Sequence, residues 1–180
     1  IGTIKIIIYI ILIHTAVHLC YRHSAHILLT RRSLASAVCL YLQSYILYSA
    51  ILALKMLAIA PLTSLTRISR GVFANPEDAK FGGKVKFDDQ AVERTRRAHL
   101  NDLENIPAFW ILGALYVTTG PAVAWATLLF RVYTVCRIIH TIVYAVVPLP
   151  QPSRFLAFII PNTINWYMAL QVIFFYLSAL

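Results

Sequence analysis

Two stretches of this chain concentrate groups that could do chemistry. The first is RRAHLNDLEN, residues 96–105, with two arginines, a histidine, two asparagines, an aspartate and a glutamate; it runs straight into the apolar Ile106 and Ala108–Leu112. On a helix, residues three and four apart share a face, so Arg97, Asn101 and Glu104 form one polar stripe. The second is RIIHTIVY, residues 137–144, in which Arg137, His140 and Tyr144 form another. Guanidinium groups recognise carboxylates through paired hydrogen bonds. Asn101 and His99 can bond amide groups, and Glu104 can hold an ammonium. That inventory suits a small zwitterionic peptide with two carboxylates. The structural alternative is that Arg137 pairs with Asp102 or Glu104 and only fixes helix packing. His99 and Glu104 lack the H-E-x-x-H spacing of a zinc site, and neither a G-x-S-x-G elbow nor a P-loop occurs, so no metal is expected.

The elements that must position these residues read as membrane helices. Of 180 residues, 59% are hydrophobic and 13% charged, with mean hydropathy +0.71; a soluble domain carries about 25% charged residues. An ionised group in such a chain faces protein, a partner or a water-filled cavity. The formal charge is +9, yet no soluble basic face is available to present to nucleic acid, and none is expected as a partner. Cys20, Cys39 and Cys136 sit in apolar runs and read as buried free thiols.

Residues 1–40 read as an extra N-terminal hydrophobic segment outside the domain, and 41–180 as the membrane domain. Tyr41–Leu65 is long enough to span, with Lys55 its one charge and Pro61 expected to end or kink it. Residues 67–92 read as a loop, with Asn-Pro turn chemistry and paired glycines. Between 67 and 97 lie eight Lys/Arg, which puts this side in the cytosol. A second helix is predicted from about Asp88–Gln90, capped by Asp89, to about Thr118. A third runs from Ala122 to about Val147, and a fourth from Phe155 to Leu180 with an interruption near Pro161. Leu100 and Leu103 are expected to pack against neighbouring helices. The fold class is all-α integral membrane, a bundle of four transmembrane helices in up-down order.

The words VFANPEDAKFGG, VERTRRAHLNDLENI and HTIVYAVVPLPQPSR resemble the MAPEG family of membrane glutathione enzymes over about Tyr41–Leu180. The resemblance implies a homotrimer in the endoplasmic reticulum or mitochondrial outer membrane, with glutathione as co-substrate bound between subunits on the cytosolic side. Matched residue by residue, it assigns glutathione binding to Arg67, Arg96, Arg97, His99, Asn101, Glu104 and Tyr144. It assigns the chemistry to Arg154, with Arg137 beside it. Relative to the family pattern, one residue is inserted between Tyr144 and Pro148. The implied activity is conjugation of glutathione to hydrophobic electrophiles, with peroxidase action on lipid hydroperoxides. Two other readings stand beside it: glutathione-dependent prostaglandin E synthase activity, which the D-L-E-N and P-L-P-Q-P words disfavour, and a non-catalytic membrane scaffold or regulatory subunit.

Overall fold

The computed structural model describes residues 34–80 and 82–180. The expectation for the hydrophobic extension lies outside them over residues 1–33, as does that for Cys20. The elements are α1 (Leu34–Arg70), β1 (Val72–Phe73), α2 (Pro76–Ala79), β2 (Lys84–Val85), α3 (Gln90–Thr118), α4 (Val123–Thr141), a π-helical turn (Ile142–Val146) and α5 (Ser153–Leu177). Among the described residues, α1, α4 with its π turn, and α5 are long and apolar enough to cross a membrane. The first half of α3 carries too many charges to qualify by composition.

Side-chain bonds between the long helices set their directions. Ser44, Tyr48 and Lys55 climb α1 while Thr127 (3.1 Å), Arg131 (3.0 Å) and Arg137, which shares Asp102 of α3 with Lys55, climb α4, so α1 and α4 run parallel. The Tyr45 hydroxyl donates to the Trp110 carbonyl (2.6 Å), and Lys55 reaches Asp102, so α3 runs antiparallel to α1. On α5, Asn165 and Tyr176 meet Asn105 (3.4 Å) and Thr118 (2.7 Å), so α5 runs along α3. The order is therefore up-down-up-down, and α1 and α5 each pack against both α3 and α4.

Aromatic rings fill the centre: Phe109 stacks on Tyr133 (centroids 4.1 Å apart) and meets Phe130 edge-on at 5.8 Å. Gly113 lets Tyr45 lie against α3, because a Cβ there would stand 2.8 Å from the Tyr45 ring. The outer faces remain apolar and exposed, as at Leu54, Leu57, Ile111 and Ile173, which suits lipid or another protein surface.

Several sequence expectations are corrected. Pro61 does not end the first helix, which continues to Arg70, and Pro161 does not interrupt α5. A proline removes only one backbone bond, and the flanking turns hold. Thr63 and Thr66 bond back to Ile59 (3.1 Å) and Leu62 (2.7 Å), and Thr163 to Ile159 (2.9 Å). The loop carries a short parallel pair, Val72 with Lys84 and Phe73 with Val85. Leu100 and Leu103 are exposed, not packed on neighbouring helices of this chain. Cys136 is a free, half-buried thiol. By contrast, Asp89 does cap α3, its Oδ1 accepting from the Ala91 and Val92 amides at 3.1 and 3.3 Å, and α3 does end at Thr118.

The C-terminal end of α4 departs from the expected helix. The Val147 amide donates to the Ile142 carbonyl (2.8 Å), five residues back, which is π and not α spacing. A π turn holds one more residue than an α turn. Here that extra residue falls within Ile142–Val146, which carries Tyr144.

Candidate functional site

The centre of the site is a buried charge triad. On α3, Thr95, Ala98, Asp102, Ile106 and Phe109 share the buried face at spacings of three and four, and Asp102 is therefore carried inward. One carboxylate oxygen accepts from Lys55 Nζ of α1 and the other from Arg137 Nη2 of α4. Asp102 and Arg137 are both 0% exposed and Lys55 6%. Ions this deeply buried are held only when paired. Arg137 Nη2 also donates to Asn101 Oδ1 at 2.9 Å. Of the two partners proposed for Arg137, Asp102 is the one it meets. Lys55 and its role were not identified from sequence: it stands 47 residues from Asp102, with no local spacing to relate them. The available signal was its solitude, since a lone lysine in a span must find a partner.

Next to the triad lies an aromatic–cation stack. His140, buried on α4, stacks against Tyr144 at 5.5 Å between centroids. The π turn carries Tyr144 beneath Arg154, whose guanidinium carbon lies 5.6 Å from the ring centroid. Such a cation–π contact steadies the guanidinium without neutralising it. Arg154 Nε is buried with no hydrogen-bond partner among the described residues. Arg154 also sits in the first turn of α5, a turn without acidic residues, where the positive end of the helix dipole adds to its charge.

The remaining candidates line the loop-facing end and outer flank of α3. Arg96 is bound to Glu93 through both carboxylate oxygens, at 2.8–3.1 Å. The charges of Arg97 and Arg67 also act on the Glu93 carboxylate. Arg96 is thus engaged within the chain, whereas Arg97 stays exposed, lining an open cleft of about 580 Å³ with Glu93, Arg94 and Phe87. Arg67 and His99 are half-buried. Glu104 is exposed and meets no ion-pair partner among the described residues. The structure therefore joins Asn101 with Arg137, Tyr144 with Arg154, and Arg67, Arg96 and Arg97 around Glu93. Among the described residues, no hydrogen bond or ion pair ties His99 or Glu104 to any of these three groups.

A helical bundle with three membrane-crossing candidates among the described residues and a buried polar seam defines the class: a multi-helix membrane protein. The comparisons then supply the family. The sequence model of the MAPEG family matches residues 45–174, and the chain belongs to that family. It is 44% identical to mouse microsomal glutathione S-transferase 1 over 138 residues, 73% of this chain and 88% of that protein. The pig protein of the same name is 45% identical over 132 residues, 70% of this chain and 84% of its own length. Horse prostaglandin E synthase is 40% identical over 134 residues, 73% of this chain and 87% of its own.

Proposed function

We propose that the chain is a membrane-bound glutathione transferase that joins the glutathione thiol to hydrophobic electrophiles arriving from the bilayer. The observation that carries the reading is Arg154, seated over Tyr144 in the first turn of α5 with a buried Nε that no described residue accepts from. A free thiol titrates near 8.5, and a neighbouring cation lowers that value. Arg154 with the helix dipole provides that cation, and the thiolate it stabilises attacks the electrophile: an S–C bond forms as the leaving group departs with its electron pair. The same thiolate attacks a lipid hydroperoxide at oxygen, releasing the alcohol, and a second glutathione completes the reduction to disulfide and water. Arg67 and Arg97 hold carboxylates while Arg96 stays paired with Glu93 beside them; Glu104 takes the ammonium, and His99 and Asn101 polar groups in between. Arg137 stands behind Asn101 and acts through it. The protein works by positioning and electrostatics, since glutathione brings the nucleophile.

In this reading all four long helices cross the bilayer, α3 with its charged half shielded by neighbouring copies. Three copies assemble, and glutathione lies between them on the cytosolic side of the endoplasmic reticulum or outer mitochondrial membrane. Glutathione titration of the detergent-solubilised protein, followed by thiolate absorbance, tests the core of it. Saturation at or below millimolar concentration is expected, and no signal there would leave a scaffold as the better reading. Turnover of a chloronitrobenzene should exceed isomerisation of a prostaglandin endoperoxide; the reverse would favour the synthase activity.

A further inference from the structure

The triad does more than hold three helices together, because of what it does to the Asn101 amide. A guanidinium has only donors. Arg137 Nη2 carries two hydrogens, and two acceptors meet it: Asp102 Oδ1 and Asn101 Oδ1, the latter at 2.9 Å. Turning the amide over would set its NH₂ against the buried guanidinium, donor against donor. Nor can Arg137 swing away to relieve this. It is fully buried, and its anchor Asp102 is itself held by Lys55. Asn105 does not compete for the amide, since its Nδ2 is bonded to the Asn101 backbone carbonyl at 2.8 Å. Asn101 Nδ2 bonds to no described residue and is not sealed from the surface.

We propose that Asn101 is a specificity residue of fixed polarity: the Lys55–Asp102–Arg137 triad locks its oxygen inward and its NH₂ outward, so that the site accepts a ligand oxygen there and refuses an N–H. This rests on the glutathione reading and sharpens it. Asn101 lies four residues after the exposed Arg97 and three before the exposed Glu104. The outer flank of α3 thus offers cation, neutral donor and acceptor in that order. The ligand oxygen that meets Asn101 is either a carboxylate or a peptide carbonyl.

The test is glutathione affinity of full-length Asn101→Asp and Asn101→Ala, with thermal midpoints measured alongside. Aspartate keeps an oxygen toward Arg137 but turns a carboxylate oxygen outward. We expect an unchanged or higher midpoint for Asn101→Asp and glutathione binding weakened by about tenfold or more. Asn101→Ala should fall between that variant and wild type. Asn101→Asp binding as tightly as Asn101→Ala, or tighter, overturns the proposal. Should the aspartate variant not be recovered folded, Asn101→Ala binding within about twofold of wild type overturns it equally. Two analogues identify the oxygen. Relief of the aspartate defect by the glycyl ester of glutathione points to the glycyl carboxylate, relief by a peptide lacking the glutamyl α-carboxylate points to that group, and equal loss with both points to a peptide carbonyl. Wild-type protein that binds no glutathione at millimolar concentration sinks the transferase reading and this proposal together; wild-type binding with an indifferent aspartate variant sinks this proposal alone.

Discussion

Arg154 is held by its surroundings more than it is neutralised by them. The Tyr144 ring supports it, the helix dipole opposes it, and no acid stands in its turn. Arg154→Ala should therefore leave glutathione affinity within about threefold while lowering turnover by about a hundredfold, the usual cost of removing one preorganised electrostatic group. The pH midpoint of the bound thiol should climb toward the free value near 8.5. Stopped-flow measurement of thiolate formation across pH checks this, and an unshifted midpoint would remove Arg154 from the chemistry. The triad invites a different experiment. It sets two cations against one carboxylate. Lys55→Met leaves a neutral Arg137–Asp102 pair, whereas Asp102→Asn leaves two buried cations with no counter-charge. Breaking a buried pair costs about 3–5 kcal/mol, so Asp102→Asn should lie at or above that range and Lys55→Met below it. Thermal denaturation in detergent ranks them, and the opposite order would mean that Asp102 is not the hub. Much of this residue-level picture was legible beforehand. Arg137, His140 and Tyr144 fall on one helical stripe, and Asp102 stood as one of two possible partners. Lys55 and the polarity of the Asn101 amide were not, because both depend on contacts between helices far apart in sequence.

At the scale of elements, the start and end of α3 could be read from local chemistry alone: Asp89 at the cap and the uncharged turn after Thr118. The proline positions could not, because a proline is read as a break while its outcome depends on the surrounding helix. The π turn was not legible, because what it does, placing Tyr144 between His140 and Arg154, depends on α5. The Asp89 cap carries a pH signature. Partial desolvation pushes its carboxyl up, but the Val92 and Ala91 amides and the charges of Arg70 and Lys86 outweigh it and hold the group below the ordinary range. A depressed carboxyl stabilises the folded state above its unfolded value, near 3.9, and loses that contribution as pH falls through the lower folded value. Asn caps nearly as well as Asp and does not titrate. The thermal midpoint of wild type should thus exceed that of Asp89→Asn by a constant amount above about pH 5, and the gap should close as pH drops below about 4. A gap independent of pH would show that the charge contributes nothing.

For the whole molecule, the question is what the outward flank of α3 faces. Arg97 and Glu104 are exposed beside exposed Leu100 and Leu103, while Arg154 lies half-buried on α5. A charged residue in a membrane-facing position needs protein or a water-filled cavity beside it, and in the proposed trimer a second copy meets that need. A cyclic trimer joins unlike surfaces at each of its interfaces, so one copy can give Glu104 and its neighbour Arg154 to the same glutathione. Mixed oligomers test this directly. Glu104→Gln and Arg154→Ala trimers should each turn over poorly by themselves. Co-expressed in equal amount and assembled at random, about a quarter of the interfaces receive both native residues, and activity should return to about that share of wild type. If both residues serve the site of their own copy, no mixed assembly contains an intact site and no activity returns. Mixing the two variants after each has assembled is the control, because complementation through exchange of copies would then appear only as fast as the oligomers dissociate.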